Sequence, residues 1–183
     1  MRTRSILVAV VALSLVASGI VGGAAPGDAP QPANGAEIEY DETLLRIDVA
    51  ADGDAGWTIA YRVNLDDENT TEAFESLQRD IRANSSTFES RFAARLNRTA
   101  RAAENATGRE MAIRNVSVST GIEVADTGVV RYTFEWTNFA AVSGEELRVG
   151  DAIAGTVLDA DTTLFVSWPA EYGVVSITPD ADE

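Results

Sequence analysis

The chain has 183 residues, with 29 acidic side chains against 14 basic ones and a formal net charge of −15, and every basic residue is arginine. Histidine, lysine and cysteine are absent, which excludes the usual nucleophilic triads, Schiff-base chemistry, thiolate or imidazole metal sites and any disulfide scaffold. A 45% apolar content is too high for an acidic disordered chain, so a core held by packing alone is expected.

Residues 1–24 read as an export signal. Arg2 and Arg4 give a positive start, Ser5 to Ser18 is an uncharged apolar run, and Gly22, Gly23, Ala24 and Ala25 offer small residues for cleavage. A cut after Ala24 keeps Pro26 away from the scissile bond. An uncleaved signal anchor is the alternative, because the apolar stretch approaches the roughly 20 residues that span a bilayer. No Arg-Arg pair marks the twin-arginine route, and without cysteine no lipoprotein anchor forms. Residues 25–36 are rich in Pro, Gly and Ala and read as a linker. Residues 37–183 read as a single extracytoplasmic domain.

The domain opens with two strands. Leu45, Ile47 and Val49 alternate with Arg46 and Asp48. After the turn Ala51–Gly56, Trp57, Ile59, Tyr61, Val63 and Leu65 alternate with Thr58, Ala60, Arg62 and Asn64. The period then becomes helical, with Phe74, Leu77, Ile81, Phe88, Phe92 and Leu96 on one stripe. Asn84-Ser85-Ser86-Thr87 is a poor helix interior, and Ser86 with Glu89 forms a capping box, so a break near residue 85 is expected. Gly108 supplies a stop. Strand alternation returns at Val116, Val118, Thr120, Ile122 and Val124 and at Tyr132, Phe134 and Trp136. Shorter runs follow at 147–153, 162–168 and 172–177. The pattern predicts an α+β fold, an antiparallel sheet with one or two amphipathic helices packed on one face.

Five Asn-X-Ser/Thr sequons fall between Asn69 and Asn115: Asn69, Asn84, Asn97, Asn105 and Asn115. In an exported chain they are candidate N-glycosylation sites. At 100° per residue from Phe92, Asn97 and Asn105 point away from the buried stripe, and Asn115 lies on the polar face of its strand. Asn69 with Glu72 also has the form of an N-cap. Arg91, Arg95, Arg98, Arg101 and Arg109 stand against one acid, Glu104, and form a candidate anion or partner patch. The competing reading is that these arginines neutralise carboxylates on neighbouring elements or simply solvate a helix face. Trp57, Tyr61, Tyr132, Phe134 and Trp136 have the spacing of a core face more than of a carbohydrate platform. Arg46, Arg62, Arg131 and Glu135 then face outward as a candidate binding surface. Glu135, Glu145, Glu146, Asp159 and Asp161 are available for carboxylate chemistry. Asp52-Gly53-Asp54 and Asp159-Ala160-Asp161 have acids at metal-binding spacing without an EF-hand loop. No catalytic residue, cofactor or metal site is predicted, and nucleic acid is not an expected partner.

The run from Trp57 to Pro179 is carried by GWTIAYRVNLDDENTTEAFESLQRDI, AAENATGREMAIRNVSVS, YTFEWTNFAAVSGEELRVGDAI and TTLFVSWPAEYGVVSITPD. It resembles a family of uncharacterised exported or membrane-anchored ectodomains of halophilic archaea. Longer members carry a transmembrane helix and then a winged helix-turn-helix segment, so the resemblance implies an ectodomain linked to regulation. This chain departs from the long pattern, since Ile177 is followed only by Thr-Pro-Asp-Ala-Asp-Glu. A short secreted member or a shortened regulator is implied.

These readings converge on a non-enzymatic interaction or sensing domain, secreted or at the cell surface. Its partner would be a protein or envelope component, with membrane contact only through an uncleaved N-terminal segment. The alternatives are a carboxylate-based extracellular hydrolase and a purely structural envelope glycoprotein. The acid excess also makes a physical prediction. At about 1 M salt the Debye length is near 3 Å and self-repulsion is screened, whereas dilute buffer leaves it in force. The melting temperature should therefore climb steeply with KCl; a flat profile would contradict a halophilic origin.

Overall fold

In chain order the elements are β1 (Arg4–Ala9), β2 (Glu42–Val49), β3 (Ala55–Asn64), α1 (Glu68–Thr107), β4 (Ala112–Glu123), β5 (Thr127–Thr137), β6 (Ala141–Ser143), β7 (Glu146–Val149), β8 (Thr162–Ser167) and β9 (Tyr172–Thr178). The structure is a computed structural model that describes residues 4–9, 29–154, 158 and 160–178. The cleavage segment Gly22–Ala25 of the export reading lies outside the described residues, as does Asp159.

Strict alternation in β2 and β3 sets the main sheet. Leu45, Ile47 and Val49 are buried while Arg46 and Asp48 are exposed, and Trp57, Ile59, Tyr61 and Val63 are all buried. The two strands pair antiparallel through a turn with Gly53 at φ 91°. A Cβ on Gly53 would stand 2.6 Å from the Ala140 carbonyl oxygen, so this close approach requires glycine. β5 pairs with β3 on one side and β4 on the other, and turns Val130, Tyr132, Phe134 and Trp136 inward. The sheet order is β4-β5-β3-β2-β8.

The sheet departs from a purely antiparallel one at β8, which runs parallel to β2. A parallel neighbour needs a crossover rather than a hairpin, and here the chain travels through β6 and β7 before returning. The alternation of β4 also fails at its end, where Ile122 is 58% and the following Val124 is 89% exposed. β4 is the edge strand of the sheet, and both residues stand where it runs into the β4–β5 turn.

α1 lays its stripe across the inner face. Phe74, Leu77, Ile81, Phe92, Ala100 and Ala103 are buried, with Phe88 and Leu96 half-buried against them. Phe92 stacks on Tyr132 at 4.0 Å between ring centroids. The N-cap is Asp67 rather than Asn69; its carboxylate accepts the Thr70 backbone N–H at 2.9 Å and the Thr70 hydroxyl at 2.6 Å. The hydroxyl bond and then the backbone bond hold the Asp67 carboxyl below its ordinary range. At the expected break Asn84 leaves helical geometry (φ −144°, ψ 48°), so two helical stretches meet at a kink within α1. Glu89 accepts the Val118 N–H at 3.4 Å, across to β4, while Gly108 (φ 72°) closes the helix.

The second sheet, in the order β6-β7-β1-β9, shares the same core through Phe139, Leu147, Val149 and Tyr172. The run expected as one strand over 147–153 is divided, because Gly150 at φ 110° ends β7 and Asp151–Ile153 forms a 3-10 turn. Residues 29–36, read as linker, are held against the domain. The Gln31 side chain bonds both the N–H and carbonyl of Ile38, and the Ala33 N–H donates to Asp80 at 2.8 Å.

The helix packs closely on the sheet at Gly128, where a Cβ would stand 2.9 Å from the Phe74 ring. Gly128→Ala should lower stability by about 1–3 kcal/mol, the usual cost of overpacking. Chemical denaturation of the Gly128→Ala, Phe74→Leu pair checks this: the double variant should lose less than the sum of the two single losses.

Candidate functional site

The face of the main sheet opposite α1 is a grid set by strand register. One row runs Ser117, Thr133, Thr58, Arg46, Phe165 across five strands, and the next runs Ser119, Arg131, Ala60, Leu44, Thr163. Small hydroxyl side chains occupy the middle, with Ser117 and Thr133 bonded to each other at 2.8 Å. Charges around them are mutually neutralised. Arg62 lies 3.6 Å from Glu42 and 3.3 Å from Glu123, and Arg131 lies 2.9 Å from Glu123. The Arg46 guanidinium sits over the Phe165 ring at 5.7 Å, and Ser167 hydrogen-bonds Asp48. Glu135 accepts from Asn115 at 2.8 Å, at a β-bulge where Asn115 takes φ 52°.

Arg46, Arg62, Arg131 and Glu135 thus share one face, as their period predicted. Glu42 and Glu123 were missed. The signal for Glu42 was its place opposite Arg62 in the β2–β3 register, whereas Glu123 reaches Arg62 and Arg131 only through sheet order.

The five arginines of the helix region separate. Arg91, Arg98 and Arg101 are exposed on α1, and Arg95 lies half-buried over the Phe92 ring at 5.1 Å. Arg109 is drawn away. Its guanidinium grips both oxygens of Asp151 at 2.5 and 2.8 Å and donates to the carbonyls of Asn138 (3.0 Å) and Phe139 (2.8 Å). This fork fastens the C-terminal end of α1 to the β5–β6 connection and the 3-10 turn.

Among the sequons, Asn69, Asn84, Asn105 and Asn115 are exposed and Asn97 is half-buried, its amide donating to the Ala93 carbonyl at 2.8 Å. Asn69 lines a cleft of about 420 Å³ with Asn34, Ala36, Glu72 and Arg79. All five strand aromatics are buried, so they form core and not a stacking platform. Burial pushes the Tyr132 phenol, and likewise Tyr40 at the sheet's edge of the core, well above the ordinary tyrosine range. The acids considered for carboxylate chemistry lie on different elements: Glu135 on β5, Glu145 and Glu146 at the β6–β7 turn, Asp161 before β8. The Asp54 carboxylate accepts the Asn138 N–H at 2.8 Å and so serves a turn. Among the described residues no group of three acids is placed to hold a metal ion, and no helix is long and apolar enough to cross a membrane.

Arg109→Ala should cost about 1.5–3 kcal/mol in thermal or denaturant unfolding, the scale of hydrogen bonds to charged groups. Arg109→Lys should restore only part, because an ammonium cannot reproduce the fork.

Comparison with curated proteins and with solved structures returned no match. A family model described as a domain of unknown function, DUF7345, matches residues 46–172, from within β2 to the first residue of β9. It takes in α1, the outer grid except Glu42 and Leu44, and the Arg109 fork. The chain belongs to the DUF7345 family.

Proposed function

We propose that this protein is a non-enzymatic extracytoplasmic interaction or sensing domain of a halophilic archaeon, glycosylated on its helical side and docking through the open face of its main sheet. The observation that carries this reading is the separation of the two sides. Four of the five sequons, Asn69, Asn84, Asn97 and Asn105, lie on α1, while the opposite face carries a grid of hydroxyls and paired charges. Glycans on the helix would leave that face clear except at its β4 edge, where the fifth sequon, Asn115, is bonded to Glu135. An open polar sheet face with satisfied charges suits a protein or envelope partner better than a small molecule, which needs a concave site. The acidic surface and the apolar leader motivate the halophilic and exported parts of the proposal.

Sequon geometry ranks the asparagines. Asn84 is exposed at the one non-helical residue of α1 and Asn105 is exposed in its last turns, whereas the Asn97 amide is committed to a backbone carbonyl. Peptide mass spectrometry of the protein from membrane and medium fractions of its host should find a mature N-terminus near Ala25. It should also find glycan on Asn84 and Asn105, with Asn97 bare. An intact Met1 or Arg2 start with all asparagines bare would refute the exported glycoprotein.

A further inference from the structure

In the second sheet β1 is the strand that joins two otherwise separate pieces. It pairs in parallel with β7, from Ser5 opposite Glu146 to Val8 opposite Val149. On its other side it pairs in parallel with β9, from Arg4 opposite Tyr172 to Ala9 opposite Thr178, with one irregularity between Ile6 and Leu7. β7 and β9 are not neighbours. With β1 withdrawn, the β6–β7 hairpin and β9 would face each other across a gap of two strand spacings, about 9.5 Å. That is too wide for hydrogen bonds, so two rows of backbone donors and acceptors would stand unpaired.

The walls of this gap belong to the core of the domain. Leu147, Val149 and Tyr172 are buried, and β9 also presents Val174 and Val175, which are 51% and 63% exposed. The family match includes β7 and reaches Tyr172 but does not include β1. The filler is part of the segment read as an export leader, and an empty seat presupposes that reading: processing near Ala24 would remove β1 and leave its place vacant.

We propose that the seat between β7 and β9 is a strand-acceptor site. Before processing, the chain's own Arg4–Ala9 fills it and caps both edges. After processing it takes an extended apolar segment of another polypeptide, running parallel to β7 and β9 together. The occupant's chemistry is that of Ser5-Ile6-Leu7-Val8-Ala9: five residues, uncharged, with no proline, using main-chain hydrogen bonds for affinity. A second processed copy has lost this strand and cannot donate it, so the partner is a different chain.

The test is hydrogen exchange on the full-length chain carrying Leu7→Pro, which removes a ladder donor in mid-strand. Protection at 146–149 and 172–178 should fall by roughly tenfold or more while β3 and β5 keep theirs, as expected of local opening. A synthetic Arg4–Ala9 peptide should restore it, and a peptide with aspartates at the second and fourth residues should not. Unchanged protection in the variant would overturn the seat, and loss without rescue would overturn the acceptor role. Should Leu7→Pro fail to fold, as reported by β3 and β5, a chain with a protease site replacing residues 25–28, nicked after folding and then separated from its N-terminal fragment, gives the same readout. These outcomes do not depend on export, which the mature N-terminus reports separately.

Discussion

Everything in this fold hangs on one aromatic layer between α1 and the sheet. Phe92 stacks on Tyr132 at 4.0 Å, Trp57 stacks on Phe134 at 5.6 Å, and Phe139 closes edge-on to Trp57 at 5.3 Å. With no cysteine in the chain, this burial has to hold the domain without a covalent link, and aromatic side chains supply the largest apolar area per residue. Because Phe139 leads into β6 and the second sheet, the same layer couples the two sheets. It also takes up most of the strand aromatics, so the outer face is left to hydroxyls, charges and Phe165 beneath Arg46.

Scarcity of cations shapes the surface. Arg62 and Arg131 hold Glu42 and Glu123 on the open face, Arg148 holds Glu146, and Arg109 ties Asp151 and two backbone carbonyls to the end of α1. Each pair on its own contributes little in water, but Arg109 combines four contacts in a partly shielded place. In a chain with a formal charge of −15, such pairing concentrates positive charge at joints of the fold and leaves the excess acid spread over the exterior. That distribution is consistent with the proposed dependence on salt and with a partner recognised through shape and hydrogen bonds as much as through net charge.

The candidate site was legible to the extent that period two reveals a face. Arg46, Arg62, Arg131 and Glu135 were assignable to one side because alternation alone puts them there. Their partners were less so, because Glu123 meets Arg62 only if β4, β5 and β3 are adjacent. The arginine run from 91 to 109 divides: Arg109, just past the helix, neutralises a carboxylate of a neighbouring element, Asp151, but spacing could not name that partner 42 residues away.

What the sequence determined by itself is local and periodic. It specified the alternation of β2, β3 and β5, the apolar stripe of α1, the weak point at Asn84, the stop at Gly108 and the absence of thiol and imidazole chemistry. These follow from backbone geometry and side-chain type within a few residues. Tertiary structure decided the rest: the parallel entry of β8 beside β2, the seat of β1 between β7 and β9, the glycine needed under Phe74, and the capture of Arg109 by Asp151. Each depends on which distant segments meet, and no period along the chain encodes that choice. It is settled by the competition of all segments for the same buried surface and the same backbone hydrogen bonds.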